Sequence, residues 1–256
     1  MTQVFLVSPL NTNATWPDPG NWNPTNKIEI VSAGSSGTAP NYNTPPGWSG
    51  FGGGGGGYGV VNNDTVSFPA NYYVGQAGYP TQFNTGVGST TRPTSGPGVW
   101  VASASFGTNG QVTTGGPAGY PSGFAGGSGG ANGTANVGSG GGGAAGPHGA
   151  GSDGGSSPAY AGGAADGGTV AGPTASGGNG NSGTQFDATH GCGAGGAGGA
   201  TTGVNGGIGG AYGGGGGGGG GNSSPGGNGG SPGQAIIIIT YTPLAKPPFV
   251  RAAMMT

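Results

Sequence analysis

The chain has 256 residues, of which only 4% are charged, and its formal net charge at pH 7 is −2. This weak charge excludes the basic patch that nucleic-acid binding requires. A single cysteine excludes an intrachain disulfide framework. No stretch approaches the roughly 20 apolar residues of a membrane helix. Residues 1–10 lack the basic start and long apolar core of a signal peptide. We therefore expect neither a nucleic-acid partner nor membrane insertion.

The N-terminal part of the chain, residues 1–106, predicts a β-domain. Val4–Val7 is a short apolar run typical of a strand. The segment Trp16–Pro24 is rich in turn residues, and its two tryptophans suggest a loop fixed by aromatic burial. Lys27–Val31 alternates polar and apolar residues, which predicts a half-buried strand with Glu29 on its exposed face.

Further strands are predicted along the same part of the chain, at Tyr58–Asn62, Thr65–Phe68, Tyr72–Gly75 and Val99–Phe106. No window shows helical periodicity with capping residues at its ends. The sequence therefore predicts an all-β fold, a small β-sandwich or jelly-roll-like domain with essentially no helix.

Residues 107–234 hold most of the chain's 73 glycines and contain no Lys or Arg. This region is either a flexible linker or a packed array of extended segments. Glycine permits close backbone approach but loses the most entropy on ordering, so an array needs nearly every N–H and C=O paired. Single residues separated by Gly-Gly pairs recur at a period that fits three residues per turn. They are Ala125, Ser128, Ala131, Ala194, Ala197, Ala200, Ile208, Ala211, Asn228 and Ser231. The pattern favours an ordered, polyglycine-II-like array.

The glycine region ends at Ala235–Thr242, which predicts the strongest strand of the chain. Four consecutive isoleucines indicate burial on both faces, or one face on a core and the other on a neighbouring subunit. Residues 235–243 would close the β-domain, so that both chain ends meet in one sheet. The tail, residues 244–256, is either frayed or a docking peptide, and its docking candidates are Pro247, Pro248, Phe249 and Val250.

Three stretches, Ala14–Val31, Gly52–Val61 and Gly233–Pro243, together resemble glycine-rich proteins encoded in bacteriophage and prophage genomes. In those proteins a Trp- and Pro-containing opening leads to an Ile-Glu strand, then to glycine blocks and a terminal Ile-x-Ile-Thr-Tyr strand. The resemblance implies a fibre, spike or decoration subunit, often a trimer of small β-sandwich heads with glycine-rich loops. It covers both ends and the overall layout. The tail departs from the pattern, which leaves open which terminus attaches to the particle.

One short cluster contains side chains that could react or bind a metal, Asp187-Ala188-Thr189-His190-Gly191-Cys192. His190 and Cys192 are weak candidates for a metal site, because a closed zinc site needs four ligands and no second cysteine pair is present. Around a threefold axis each could contribute three times, which leaves a metal or an interchain disulfide open. The alternative is a loop histidine and a small buried thiol. We expect no catalytic residues and no cofactor.

Five aromatic residues stand alone in glycine-rich surroundings, namely Tyr120, Phe124, Tyr160, Phe186 and Tyr212. They are candidates for receptor contact by stacking on sugar rings of a host polysaccharide. The interpretation that we favour is that each ring fills the glycine layer or packs at a subunit contact.

These observations predict a non-enzymatic virion structural protein that lies on the exterior of the particle. Its modest apolar content suggests that it associates with itself, and the resemblance implies a homotrimer in which one terminus docks on other virion proteins. A bacterial cell-surface or extracellular matrix protein rich in glycine is the alternative.

Overall fold

The computed structural model describes residues 1–41, 49–77, 79–85, 97–102, 104, 116, 118–131, 136–221 and 225–245. These residues form an all-β protein whose one helical element is a short 3-10 turn, Asp166–Gly168. The strands are β1 (Thr2–Leu6), β2 (Asn13–Trp16), β3 (Asn26–Val31), β4 (Tyr58–Asn62), β5 (Ala70–Tyr73), β6 (Thr81–Phe83), β7 (Val99–Val101), β8 (Ser122–Phe124) and β9 (Ile236–Tyr241).

Two antiparallel sheets pack face to face as a β-sandwich. The first has the strand order β1-β9-β3-β4-β8 and the second β2-β5-β6-β7. The main core lies between them and includes Ile28, Ile30, Phe83 and Trp16, with Trp22 and Phe68 packed at its edge. The first and last strands of the chain are neighbours, with Thr2 opposite Tyr241. The prediction that both ends meet in one sheet is confirmed.

The isoleucines of β9 are buried on both faces of the first sheet. Ile237 and Ile239 belong to the core between the sheets. Ile236 and Ile238 belong to a second core on the opposite face, where the sheet meets glycine-rich backbone. All four are fully buried, and each contributes roughly 1.5–3 kcal/mol of apolar burial. The chain itself covers both faces, with no need for a second subunit.

The strand predictions near Lys27–Val31 and Tyr58–Asn62 are confirmed by β3 and β4, whereas Thr65–Phe68 is not a strand. Amide side chains bond the backbone at its start instead: the Asn84 amide donates to the Thr65 carbonyl oxygen, and the Asn26 amide donates to the carbonyl oxygen of the preceding residue, Asp64. β7 covers Val99–Val101, the first three residues of the strand predicted at Val99–Phe106. Residues 103, 105 and 106 of that prediction lie outside the described residues. The predictions missed β2, β6 and β8, which are only three or four residues long.

Extended glycine-rich segments pack side by side on the outer face of the first sheet, and we call this layer the glycine array. It also takes in residues 32–38 and 50–57, which the sequence places in the N-terminal β-domain. The segments are residues 32–38, 50–57, 125–131, 137–146, 149–157, 160–166, 170–173, 177–183, 191–200, 204–211, 213–221 and 226–235.

The central segment, residues 137–146, is bonded through its backbone to six neighbouring segments. Its consecutive N–H groups donate to three segments in turn, and its carbonyl oxygens accept from three others. The donated bonds run from Gly141 to Gly196, from Gly142 to Gly53 and from Gly143 to Ser152, and the accepted bonds come from Gly163, Gly215 and Gly127. The donation pattern repeats three residues later at Ala144, Ala145 and Gly146. Because an extended chain with three residues per turn points each third residue in the same direction, this repeat of bonding partners is expected of it.

Close approach explains why the interior positions are glycine. A Cβ on Gly142 would collide with the carbonyl oxygen of Gly127, and one on Gly195 with that of Gly141. Each collision is with backbone that is itself held by hydrogen bonds, so the neighbour has no room to yield. A side chain in the interior would therefore separate two segments and break their bonds.

Side-chain oxygens take the place of carbonyl acceptors where a segment lacks a backbone partner. At the array surface, Asn179 accepts from Ile208 N, Asn205 from Asn228 N, and Ser176 from Ala200 N, over 2.7 to 3.0 Å. Inside, the Ser32 and Ser35 hydroxyls accept from Gly57 N and Gly54 N. The polar residues between glycine pairs thus complete the hydrogen bonding of the backbone.

The array has two ends that differ in their surroundings. β3 continues directly into residues 32–38, while residues 50–57 and 226–235 lead into β4 and β9. This end of the array, next to β3, β4 and β9, is the sheet end, and the turns at 146–149, 166–170, 183–191 and 211–213 lie there. The opposite end, which we call the distal face, comprises the described residues 38–41, 49–50, 131, 136–137, 157–160, 173–177, 200–204, 221 and 225–226.

We predict that Gly142→Ala destabilises the protein by more than about 4 kcal/mol, because its methyl group has no space between two hydrogen-bonded segments. The matched control is Gly168→Ala, where a Cβ meets nothing within 4 Å but the backbone has φ +95°. That strain costs about 1–2 kcal/mol. Chemical denaturation of both variants measures the difference, and equal midpoints would contradict close packing around Gly142.

Candidate functional site

The predicted cluster at residues 187–192 lies at the sheet end of the array. Asp187 Oδ1 accepts hydrogen bonds from the backbone N–H groups of Thr189 and His190, both at 2.7 Å. Its Oδ2 lies 2.7 Å from His190 Nδ1. The Thr189 N–H bond first, and then the His190 side chain, hold the pKa of Asp187 well below its usual range. The carboxylate therefore closes a local turn.

The His190 ring is used for packing. It stacks between Phe5 of β1, with ring centroids 4.0 Å apart, and Tyr212, at 5.8 Å. Because Asp187 occupies Nδ1 and the two rings cover its faces, His190 joins the edge of the first sheet to the array. A metal site finds no support here: no group of three or more His, Cys, Asp or Glu side chains within the described residues could hold an ion.

Cys192 is a fully buried thiol in the second core. Burial raises the pKa of its thiol, and the nearby Asp166 and Glu29 carboxylates raise it further. A neutral thiol in this position is neither a nucleophile nor accessible to a cysteine of another chain. The structure thus matches the small buried thiol and leaves no route to an interchain disulfide in this fold.

A second histidine–aspartate pair, which the sequence analysis did not anticipate, joins two turns at the same end. The fully buried Asp166 accepts from His148 N at 2.7 Å and from Thr169 Oγ1 at 2.8 Å, and its Oδ2 lies 2.5 Å from His148 Nδ1. The His148 side chain is 62% exposed. It borders a cavity of about 400 Å³ together with Thr169, Ser182, Thr184 and Gln185. The pair lies 18 positions apart in sequence, and no motif in the intervening residues would reveal it.

Glu29 corrects a prediction, since it is 4% exposed and does not lie on an open face. Its Oε1 accepts from Tyr58 OH at 2.5 Å and lies 2.8 Å from Lys27 Nζ. Burial, and then the Glu29 carboxylate, raise the pKa of Tyr58 far above its usual range. Alternation along β3 places Glu29 beside Val31, on the face that the array covers. This group links sheet and array and has no open approach for a substrate.

The five aromatic candidates do not share one surface role. Tyr212 is 8% exposed and belongs to the second core, with Phe186 packed against it, so Tyr212 is a core residue. Phe124 is 43% exposed and stacks on Tyr58. Tyr120 is half-buried and pairs with Trp100. Tyr160 lies half-buried at the distal face. The docking candidates Pro247, Pro248, Phe249 and Val250 lie outside the described residues.

The distal face is the surface whose composition suits recognition. Its described residues carry no charge and include exposed Thr174, Ser176, Thr201 and Thr202. They also include exposed Asn136 and half-buried Tyr160. Loops rich in Tyr, Ser, Gly and Asn are typical of adaptable binding surfaces.

Comparison of the chain with protein-family models, with curated proteins and with solved structures gives no match. Among the described residues, no helix has the length and apolar character needed to cross a membrane.

We predict that Asp187 stabilises the fold in a pH-dependent way. An aspartate whose folded pKa is depressed contributes stability above its unfolded value, about 3.9, and this stability disappears as pH falls. The difference in thermal midpoint between the wild type and Asp187→Asn should be constant above about pH 5 and shrink between about pH 5 and pH 2. Asp18→Asn, at an exposed aspartate, is the control. A difference that stays the same down to pH 2 would contradict the role assigned to Asp187.

Proposed function

We propose that this protein is a non-enzymatic structural subunit on the exterior of a bacteriophage virion, in a fibre, spike or decoration. In this proposal it self-associates, as a homotrimer, and attaches to the host surface through its distal face. The observation that carries the proposal is the central segment, whose backbone bonds to six neighbours without help from charged side chains. A body held in this way is a stiff support for the short connections at its end.

Rigidity matters for adhesion because it lowers the entropy lost on binding. The described connections 157–160, 173–177 and 200–204 are anchored at both ends by hydrogen-bonded segments, so less order has to be created when a receptor binds. Uncharged Ser, Thr and Asn side chains offer hydrogen bonds to the hydroxyl groups of a surface polysaccharide, and the Tyr160 ring offers a flat apolar face. A rigid glycine array that carries polar side chains on its distal face is therefore suited to attachment.

The resemblance of the two chain ends to phage glycine-rich proteins supports the same proposal. A rigid glycine layer would serve a bacterial surface or matrix protein equally well, so the alternative differs in where the protein is found. Antibodies against the purified protein, applied to lysates and examined by electron microscopy, separate the two. Labelled phage particles support the proposal, while labelled cell walls without particles support the alternative.

Attachment through the distal face predicts a position-dependent loss of binding. The double variant Thr174→Arg with Thr202→Arg adds two long charged side chains at exposed positions and leaves the array intact. We expect its binding to susceptible cells, measured with fluorescently labelled protein, to fall more than about tenfold, since each misplaced charge opposes desolvation.

The matched control carries the same two substitutions elsewhere, as Thr15→Arg on β2 with Ser231→Arg on the side of the array. Its binding should remain close to that of the wild type. If both double variants bind equally well, or lose binding equally, the distal face is not the attachment surface.

A further inference from the structure

A groove of about 440 Å³ opens at the base of the β-sandwich, at the end opposite the distal face. It lies where β1 and β3 begin and where β4 and β9 end, and its walls include Met1, Lys27, Asn62, Thr240 and Tyr241. Besides Met1 and Tyr241, seven polar residues line it, but most of the surface exposed in the groove belongs to apolar atoms, and Met1 is 99% exposed. None of the described residues fills this groove.

The groove opens mainly on the outer face of the first sheet. Strand alternation places Lys27 and Thr240 on the same side as Glu29 and Ile238, which is the side that the array covers further up. Below the array this face is open. An occupant would therefore lie across the ends of β3 and β9 and cover apolar surface that the chain leaves exposed.

The sequence offers one segment with suitable chemistry. After the last described residue, Ala245, the chain reads Lys-Pro-Pro-Phe-Val-Arg-Ala-Ala-Met-Met-Thr. Two prolines favour a straight polyproline II conformation that loses little entropy on binding, and Phe249 and Val250 supply apolar side chains beside them. We propose that the base groove of one copy binds the Pro247–Val250 segment of a second copy.

The direction in which the chain leaves β9 favours a second copy over the same chain. Leu244 N donates to the Asn21 carbonyl oxygen, and Tyr241 OH contacts the Asn21 side chain, on the face toward the second sheet. Phe249 follows Ala245 by four residues, which span at most about 14 Å. Thr242 lines the groove of its own copy, but the chain then leaves it at Leu244, so the tail would have to turn back to the other face within that span to enter this groove. Consecutive prolines oppose such a reversal.

Photo-crosslinking tests the proposal directly in the full-length chain. A benzophenone amino acid at position 249 should give covalent products of at least twice the chain mass on a denaturing gel. Mass spectrometry should map the crosslink to peptides that contain Lys27 or Thr240. The matched control places the same group at Leu244, which is 54% exposed on the exit segment. It should give no crosslink to the groove.

Phe249→Asp provides a second measurement that does not depend on the crosslinker. Light scattering should show self-association weakened by about tenfold or more, with an unchanged circular dichroism spectrum, while Leu244→Asp associates like the wild type. A groove crosslink at the mass of a single chain would show that the tail binds in its own copy and overturn the proposal. Absence of any groove crosslink, or self-association unaffected by Phe249→Asp, would also overturn it. None of these results depends on what the distal face binds.

Discussion

Pairing of backbone N–H and C=O groups between closely packed glycine segments is the constraint on which this structure depends. The array buries a large amount of backbone with few side chains, so an unpaired group there would have no compensating interaction. The N–H and C=O groups of Gly141, Gly142 and Gly143 form hydrogen bonds with six neighbouring segments. Only glycine permits that spacing, because a Cβ on Gly142 would collide with the carbonyl oxygen of Gly127. The large entropy that glycine loses on ordering is offset by this complete bonding.

The β-sandwich and the array form one body because strands continue into segments. β3 runs on into residues 32–38, and β9 follows from residues 226–235. The second core then fills the junction with Ile236, Ile238 and neighbouring apolar residues. Polar groups add to it: Glu29 holds Tyr58, and His190 stacks on Phe5. The titratable side chains at this junction are therefore structural parts of the molecule.

Much of the fold could be predicted from the sequence, because the relevant signals are local. Alternation in Lys27–Val31 and the isoleucine run of β9 follow from simple strand patterns. The strand proposed at Thr65–Phe68 is wrong, because the Asn84 amide bonds its first carbonyl oxygen and the Asn26 amide bonds that of the preceding residue, Asp64. The pairs His148–Asp166 and Tyr58–Glu29 join residues far apart in sequence. The Tyr58–Glu29 contact depends on the register of β3 against β4. The His148–Asp166 contact depends on which glycine-rich segments are neighbours, and near-identical glycine triplets do not encode that choice in any readable pattern.

Amide hydrogen exchange in the array tests the central claim most directly. If backbone bonding orders the array, amides in residues 138–146, 193–199 and 213–221 should exchange only through global unfolding, as slowly as those of β3 and β9. The surface amides of Ile208 and Asn228, which bond to side chains, should exchange faster. Exchange of the central segments at the rate of an unfolded chain, while β3 and β9 stay protected, would contradict the account and make the glycine region a linker.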